Sequence, residues 1–134
     1  MTTNCENSKK LAEIGFKATS DFYYSKTGTL HYIDDCEGIP IDFYSFHFET
    51  IWDSLPKKIM NYELSLLTYH KNAVIGYCDI SGNYEEGISC LDNFSVKQFW
   101  AEEGSYDFKM QSLADTAAKL LIKLVEKGII NFNK

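Results

Sequence analysis

The stretch LLTYHKNAVIGYCDISG, residues 66–82, places His70, Cys78 and Asp79 within ten positions. An imidazole, a thiol and a carboxylate are the groups of nucleophilic catalysis, where the base must come within about 3 Å of its nucleophile. The surrounding residues read instead as two β-strands, YELSLLTY and AVIGYCDI, rich in strand-forming side chains. A two-residue turn at Lys71-Asn72 sets His70 opposite Ala73, Thr68 opposite Ile75, Leu66 opposite Tyr77 and Ser65 opposite Cys78. His70 and Cys78 are then five rungs, about 17 Å, apart and on opposite faces. Another turn length shifts the register without joining them. These side chains furnish strands, and no Cys–His dyad is expected.

Other catalytic and cofactor patterns fail in the same way. Phosphate-cradling glycine motifs are absent. The loop IDDCEGIPIDFY resembles a calcium loop, but with Gly38 at its sixth position the first and twelfth become Ile33 and Tyr44, which carry no carboxylate. Asp34, Asp35 and Glu37 read more simply as a polar turn. Cys5, Cys36, Cys78 and Cys90 form no C-x-x-C pair, and no histidine stands at zinc-ligand spacing from any of them. His31, His47 and His70 are far apart in sequence. No catalytic residue, metal or cofactor is therefore assigned.

The acids and aromatics are more informative. YIDDCEG, NYEEG and FWAEEGSYDF each set a tyrosine or tryptophan beside acidic residues. The expected partner-binding residues are Asp34, Asp35, Glu37, Glu85, Glu86, Glu102 and Glu103, with Tyr84, Trp100 and Tyr106 as anchors. Aromatics are enriched at interface hot spots, and carboxylates around them steer a basic partner. A merely solubilising surface is the plainer alternative.

The charge balance points the same way. The 134 residues carry 13 basic and 19 acidic side chains, a net charge of −6, and every basic residue is lysine. Without arginine the chain lacks the planar fork that grips phosphates and base edges, and it shows no basic stripe. Nucleic acid is not an expected partner. No apolar run approaches the roughly 18 residues that span a bilayer. The N-terminal MTTNCENSKK has no secretory pattern. A soluble cytoplasmic protein that does not enter membranes is expected.

The elements that must position these residues can be read coarsely. Leu11, Ile14, Ala18 and Phe22 share one face of a helix over 8–23, capped by Ser8 or Asn7. TGTLHYIDD follows as a strand. Tyr44, Phe48, Ile51, Trp52 and Leu55 make a helical stripe stopped by Pro56, after a short strand at Ile41–Phe43. GISCL returns as a third strand after the hairpin. SVKQFWAEEG resembles a short helix with Ser95 and Gln98 at capping-box spacing. Met110, Leu113, Ala117, Leu120 and Leu124 mark a long C-terminal helix that ends at Lys127-Gly128. The sum is a single α+β domain over 1–134. Its two layers are an antiparallel three- to five-stranded sheet and the helices that cover it.

In size, charge and composition the chain resembles the bacterial immunity proteins that protect against contact-dependent growth-inhibition toxins. The resemblance implies a non-enzymatic toxin inhibitor acting by protein–protein interaction. It would bind one cognate toxin domain, basic in character, and occlude its active site or an adjacent surface. A different class is also open. Helices over a sheet can enclose an aromatic-lined pocket for a small molecule or for simple acid–base chemistry.

Overall fold

The computed structural model describes residues 2–35, 38–59, 62–69, 72–79, 94–95 and 113–132. The first helix, α1, spans Cys5–Glu13. Asn4 caps it, accepting the Asn7 N–H at 2.8 Å on its side-chain oxygen, so neither Ser8 nor Asn7 has that role. The helix also ends well before residue 23. Gly15 takes φ +89°, and the N–H groups of Gly15 and Phe16 return to the carbonyls of Ala12 and Leu11. That bond pair is a Schellman end, which needs a left-handed residue that glycine supplies cheaply. Phe22, expected on a helix face, falls instead in a strand.

Three short strands follow: β1 (Phe22–Tyr24), β2 (Leu30–Tyr32) and β3 (Phe43–Ser45). They form an antiparallel sheet in the order β2-β1-β3. The β1–β2 turn is closed by the Gly28 N–H on the Ser25 carbonyl at 2.9 Å, with Gly28 at φ +80°. The expected strand over TGTLHYIDD thus shortens to 30–32, because its first residues build the turn.

Helix α2 covers Phe48–Ser54. Leu55 adopts φ −75°, ψ 136°, the extended geometry that the ring of Pro56 demands. Tyr44, expected on this helix, lies in β3.

A second antiparallel sheet holds β4 (Lys58–Ile59), β5 (Tyr62–Tyr69), β6 (Asn72–Asp79) and β7 (Phe94–Ser95), in that order. The α+β class stands, with the strands divided between two small sheets. In the β5–β6 hairpin Tyr69 pairs with Asn72, Leu66 with Ile75, Leu64 with Tyr77 and Glu63 with Cys78. The pairing is displaced by two residues from the expected one. The displacement sets Leu66, instead of Thr68, opposite Ile75, and apolar cross-strand pairs stabilise a sheet. Cys78 remains remote from the turn, and His70 lies outside the described residues. So do GISCL and residues 96–104 of the expected short helix; Phe94 and Ser95 pair with Ile75 and Val74.

The last helix, α3, spans Leu113–Glu126. Gly128 at φ +76° and Ile129 close it with bonds to Val125 and Leu124, as Lys127-Gly128 predicted. No helix among the described residues is long and apolar enough to cross a membrane. One face of α3 buries Ala117, Ala118, Leu120, Leu121 and Leu124 with Leu11, Phe16, Phe46, Ile51, Ile75 and Tyr77. Its alanines let α1 and α2 approach closely. Asp115 is 6 % exposed, and one of its oxygens accepts the Asn4 N–H at 2.8 Å and the Asn7 amide at 2.9 Å. Asp115, in the first turn of α3, therefore also holds the start of α1.

Thr3 joins the N-terminal segment to the first sheet. Its hydroxyl lies 2.6 Å from the Ser8 hydroxyl and accepts the Phe46 N–H at 3.0 Å; its carbonyl accepts the Ser45 hydroxyl at 2.6 Å. Thr3→Val keeps the shape but leaves the buried Phe46 N–H without its side-chain acceptor and the Ser8 hydroxyl with the Thr3 carbonyl alone. A loss of about 1–3 kcal/mol in denaturant-unfolding stability is expected, whereas Thr19→Val at an exposed position should change little.

Candidate functional site

The first sheet carries the most conspicuous exposed surface. Seven large hydrophobic residues are exposed among those described, and five of them, Leu30, Tyr32, Ile33, Ile39 and Ile41, lie between residues 30 and 41 at 37 to 44 % exposure. Grouped exposed apolar side chains of this kind mark interaction surfaces.

Strand alternation explains their placement. Leu30 and Tyr32 pair with Tyr24 and Phe22 and share one face. Tyr23 and His31 point to the other. There the Tyr23 hydroxyl donates to the Ile39 carbonyl at 2.9 Å, which holds the 38–42 loop against that side. Aliphatic groups therefore flank β2 on both faces of an outer strand. On the second face a pocket of about 400 Å³ is lined by Ser25, Lys26, Thr27, His31, Ile39 and Pro40.

Rings extend the first face. Tyr32 and Phe22 have centroids 5.2 Å apart, and Phe22 meets His47 edge-on at 5.6 Å. His47 Nε2 lies 2.9 Å from Asp21 Oδ1, and that hydrogen bond holds Asp21 below the usual carboxylate range. The exposed Asp34 and Asp35 close the strand end. The Asp34 charge, and then its hydrogen bond, push the Tyr32 phenol above its ordinary value. Tyr32 is therefore expected to ionise at higher pH than a free tyrosine, and Asp34→Asn should bring it down. A pH titration of the Tyr32 ring signals checks this; an unchanged midpoint would contradict it.

The hairpin also holds a hydroxyl chain. His31 Nε2 is 3.1 Å from Ser25 Oγ, which is 2.9 Å from Thr27 Oγ1, itself 3.0 Å from Thr29 Oγ1. A serine and an imidazole at this distance have the reach of a nucleophile and its base. Here they staple the turn, since each member of the chain is a turn or cross-strand neighbour of the next.

Of the sequence-predicted site residues, the structure places Asp34 and Asp35 on this surface. Glu37, Tyr84, Glu85, Glu86, Trp100, Glu102, Glu103 and Tyr106 lie outside the described residues. Among the described residues, no three metal-ligating side chains converge. The aliphatic members of the surface escaped sequence reading. Their signal was present in the apolar run LHYI directly before paired aspartates, and in Ile39 and Ile41 on either side of Pro40.

A second concavity, an apolar groove of about 470 Å³, runs between the end of α1 and β3. Phe16, Ala18, Ile41, Phe43, Tyr44 and Phe46 line it, with Lys17 and Asp42 at its margin. Comparison with known protein families, characterised proteins and solved structures finds no match to this chain.

Proposed function

We propose that this chain is a small acidic binding protein that neutralises a cognate toxin domain, occluding its active site or an adjacent surface as contact-dependent growth-inhibition immunity proteins do. The observation that carries the reading is the exposed aliphatic and aromatic surface around β2 beside Asp34 and Asp35. Apolar anchors supply the contact energy of an interface, and acids at the rim select a cationic partner and speed its arrival. A net charge of −6 adds to the steering.

The test is direct. The C-terminal domain of the product encoded immediately upstream is expressed with and without this chain. Rescue of growth and a complex that weakens with salt support the reading. A harmless upstream product, or rescue that survives loss of the entire chain, contradicts it.

The apolar groove supports a second reading, as a small-molecule binder. Its volume falls in the range of ligand sites, roughly 300–1,000 Å³. A small amphiphilic carboxylate should then shift the Phe16 and Tyr44 ring signals saturably, and Phe16→Ala should abolish the shift.

A further inference from the structure

We propose that β2 takes up its partner by strand addition, pairing its outer edge with an extended, lysine- or arginine-bearing segment; this rests on the reading of the chain as a binder of a basic protein.

The main-chain bonding defines that edge. The Ile33 N–H donates to the Asp21 carbonyl at 2.8 Å, and the Ser25 N–H to the Thr29 carbonyl at 3.1 Å. Bonded rungs alternate in an antiparallel pair, so the rung between these two is Tyr23–His31. The peptide groups of His31 therefore face β1, while those of Leu30 and Tyr32 face outward. The Tyr32 carbonyl is taken by the Asp35 N–H at 3.0 Å. Leu30 N–H, Leu30 C=O and Tyr32 N–H are directed outward and carry no hydrogen bond among the described residues. An incoming antiparallel strand makes three main-chain bonds there, two at Leu30 and one at Tyr32.

On the opposite side of the sheet the N-terminal segment is paired just past β3. Thr2 bridges to His47, and Thr3 exchanges bonds with Phe46 beyond β3. Side-chain recognition follows from the same alternation. Incoming residues on one face meet Leu30 and Tyr32. Their neighbours on the other face meet His31, Ile39 and the pocket beside Pro40. Asp34 and Asp35 stand where the strand ends. A net charge of −6 on each chain opposes a second copy and favours a cationic occupant. Strand addition draws affinity from main-chain bonds and specificity from alternate side chains.

The probe is a ten-residue peptide of alternating lysine and valine, titrated into the isotope-labelled protein. Saturable shifts and at least tenfold slower exchange are expected at the Leu30 and Tyr32 amides. N-methylating the alternate peptide residues whose N–H groups face β2 should weaken binding at least tenfold; methylating the other alternates should change it less than threefold. Leu30→Pro should weaken it similarly, and the methylated peptides give the answer on the native protein if that variant does not fold. Absence of binding or equal binding of both methylated peptides overturns strand addition, and sedimentation as a dimer paired through β2 overturns the cationic occupant. If equal binding is instead lost on reversing Asp34 and Asp35, the edge mechanism falls and the acidic-surface reading survives. If strand pairing persists through that reversal, charge selection falls and the edge mechanism survives.

Discussion

Asp115→Ala is expected to cost about 3 kcal/mol of folding stability, on the order of a 10 °C fall in Tm for a domain of this size. One carboxylate oxygen accepts both the Asn4 N–H and the Asn7 side-chain amide in a nearly closed environment. Alanine removes the acceptor, strands the buried Asn7 amide and frees the part-buried Asn4 N–H. A hydrogen bond to a charged group contributes about 1.5–3 kcal/mol, and the stranded donor has its own desolvation cost. Asp115→Asn keeps an acceptor at the same place and should lose about half as much. Asn7→Ala combined with Asp115→Ala should lose less than the sum, because the two share one bond. Urea unfolding measures all three; a midpoint for Asp115→Ala within experimental error of the parent would refute the stitching of α1 to α3.

Reversing both acids at the end of β2, Asp34→Lys with Asp35→Lys, should weaken a cationic partner on the order of 100-fold at low ionic strength. Both side chains are exposed, so unfolding stability should stay within about 0.5 kcal/mol of the parent. Most of the change should appear in the association rate, since rim charges act on diffusional encounter. The difference should shrink as salt rises and the screening length falls below about 8 Å. Tyr32→Ala acts differently. It removes a ring packed on Phe22, so its effect should fall on dissociation and persist at high salt. Surface-resonance rates across a salt series separate the two. Equal loss at all salt concentrations for the charge-reversed protein would remove steering from the account.

How far these features could be read from sequence differs by element. The C-terminal helix was legible because Leu113, Ala117, Leu120 and Leu124 repeat on one face and Gly128 ends it. The β5–β6 hairpin was legible as an element, but its pairing was not. Both faces of these strands carry apolar residues, so the hydrophobic pattern fixes register weakly; the pairing found sets Leu64 with Tyr77 and Leu66 with Ile75. Ala18 and Phe22 continue the apolar spacing of the first helix past its end at Glu13. Gly15-Phe16, a Schellman signature, overrides that periodicity, and β-formers from Phe22 onward belong to a sheet. Division of the strands into two sheets was not legible, because local patterning carries no information about which strands become neighbours.

The site was half legible for a physical reason. Asp34 and Asp35 announce themselves by charge. Leu30, Ile33, Ile39 and Ile41 look like core residues in any linear reading; the outer position of β2 exposes Leu30, and Ile41 lies by the groove beside β3. The outward Leu30 and Tyr32 peptide groups are properties of pairing, which no composition records.

Docking of a basic partner on the β2 surface is the proposal on which the others rest. Amide hydrogen exchange of the protein, free and with the proposed toxin domain, tests it most directly. Protection concentrated in residues 30–35 and 38–42, with α3 unchanged, is the predicted result. Protection confined to α3 or to the apolar groove at Phe16, with residues 30–35 exchanging as in the free protein, would contradict it.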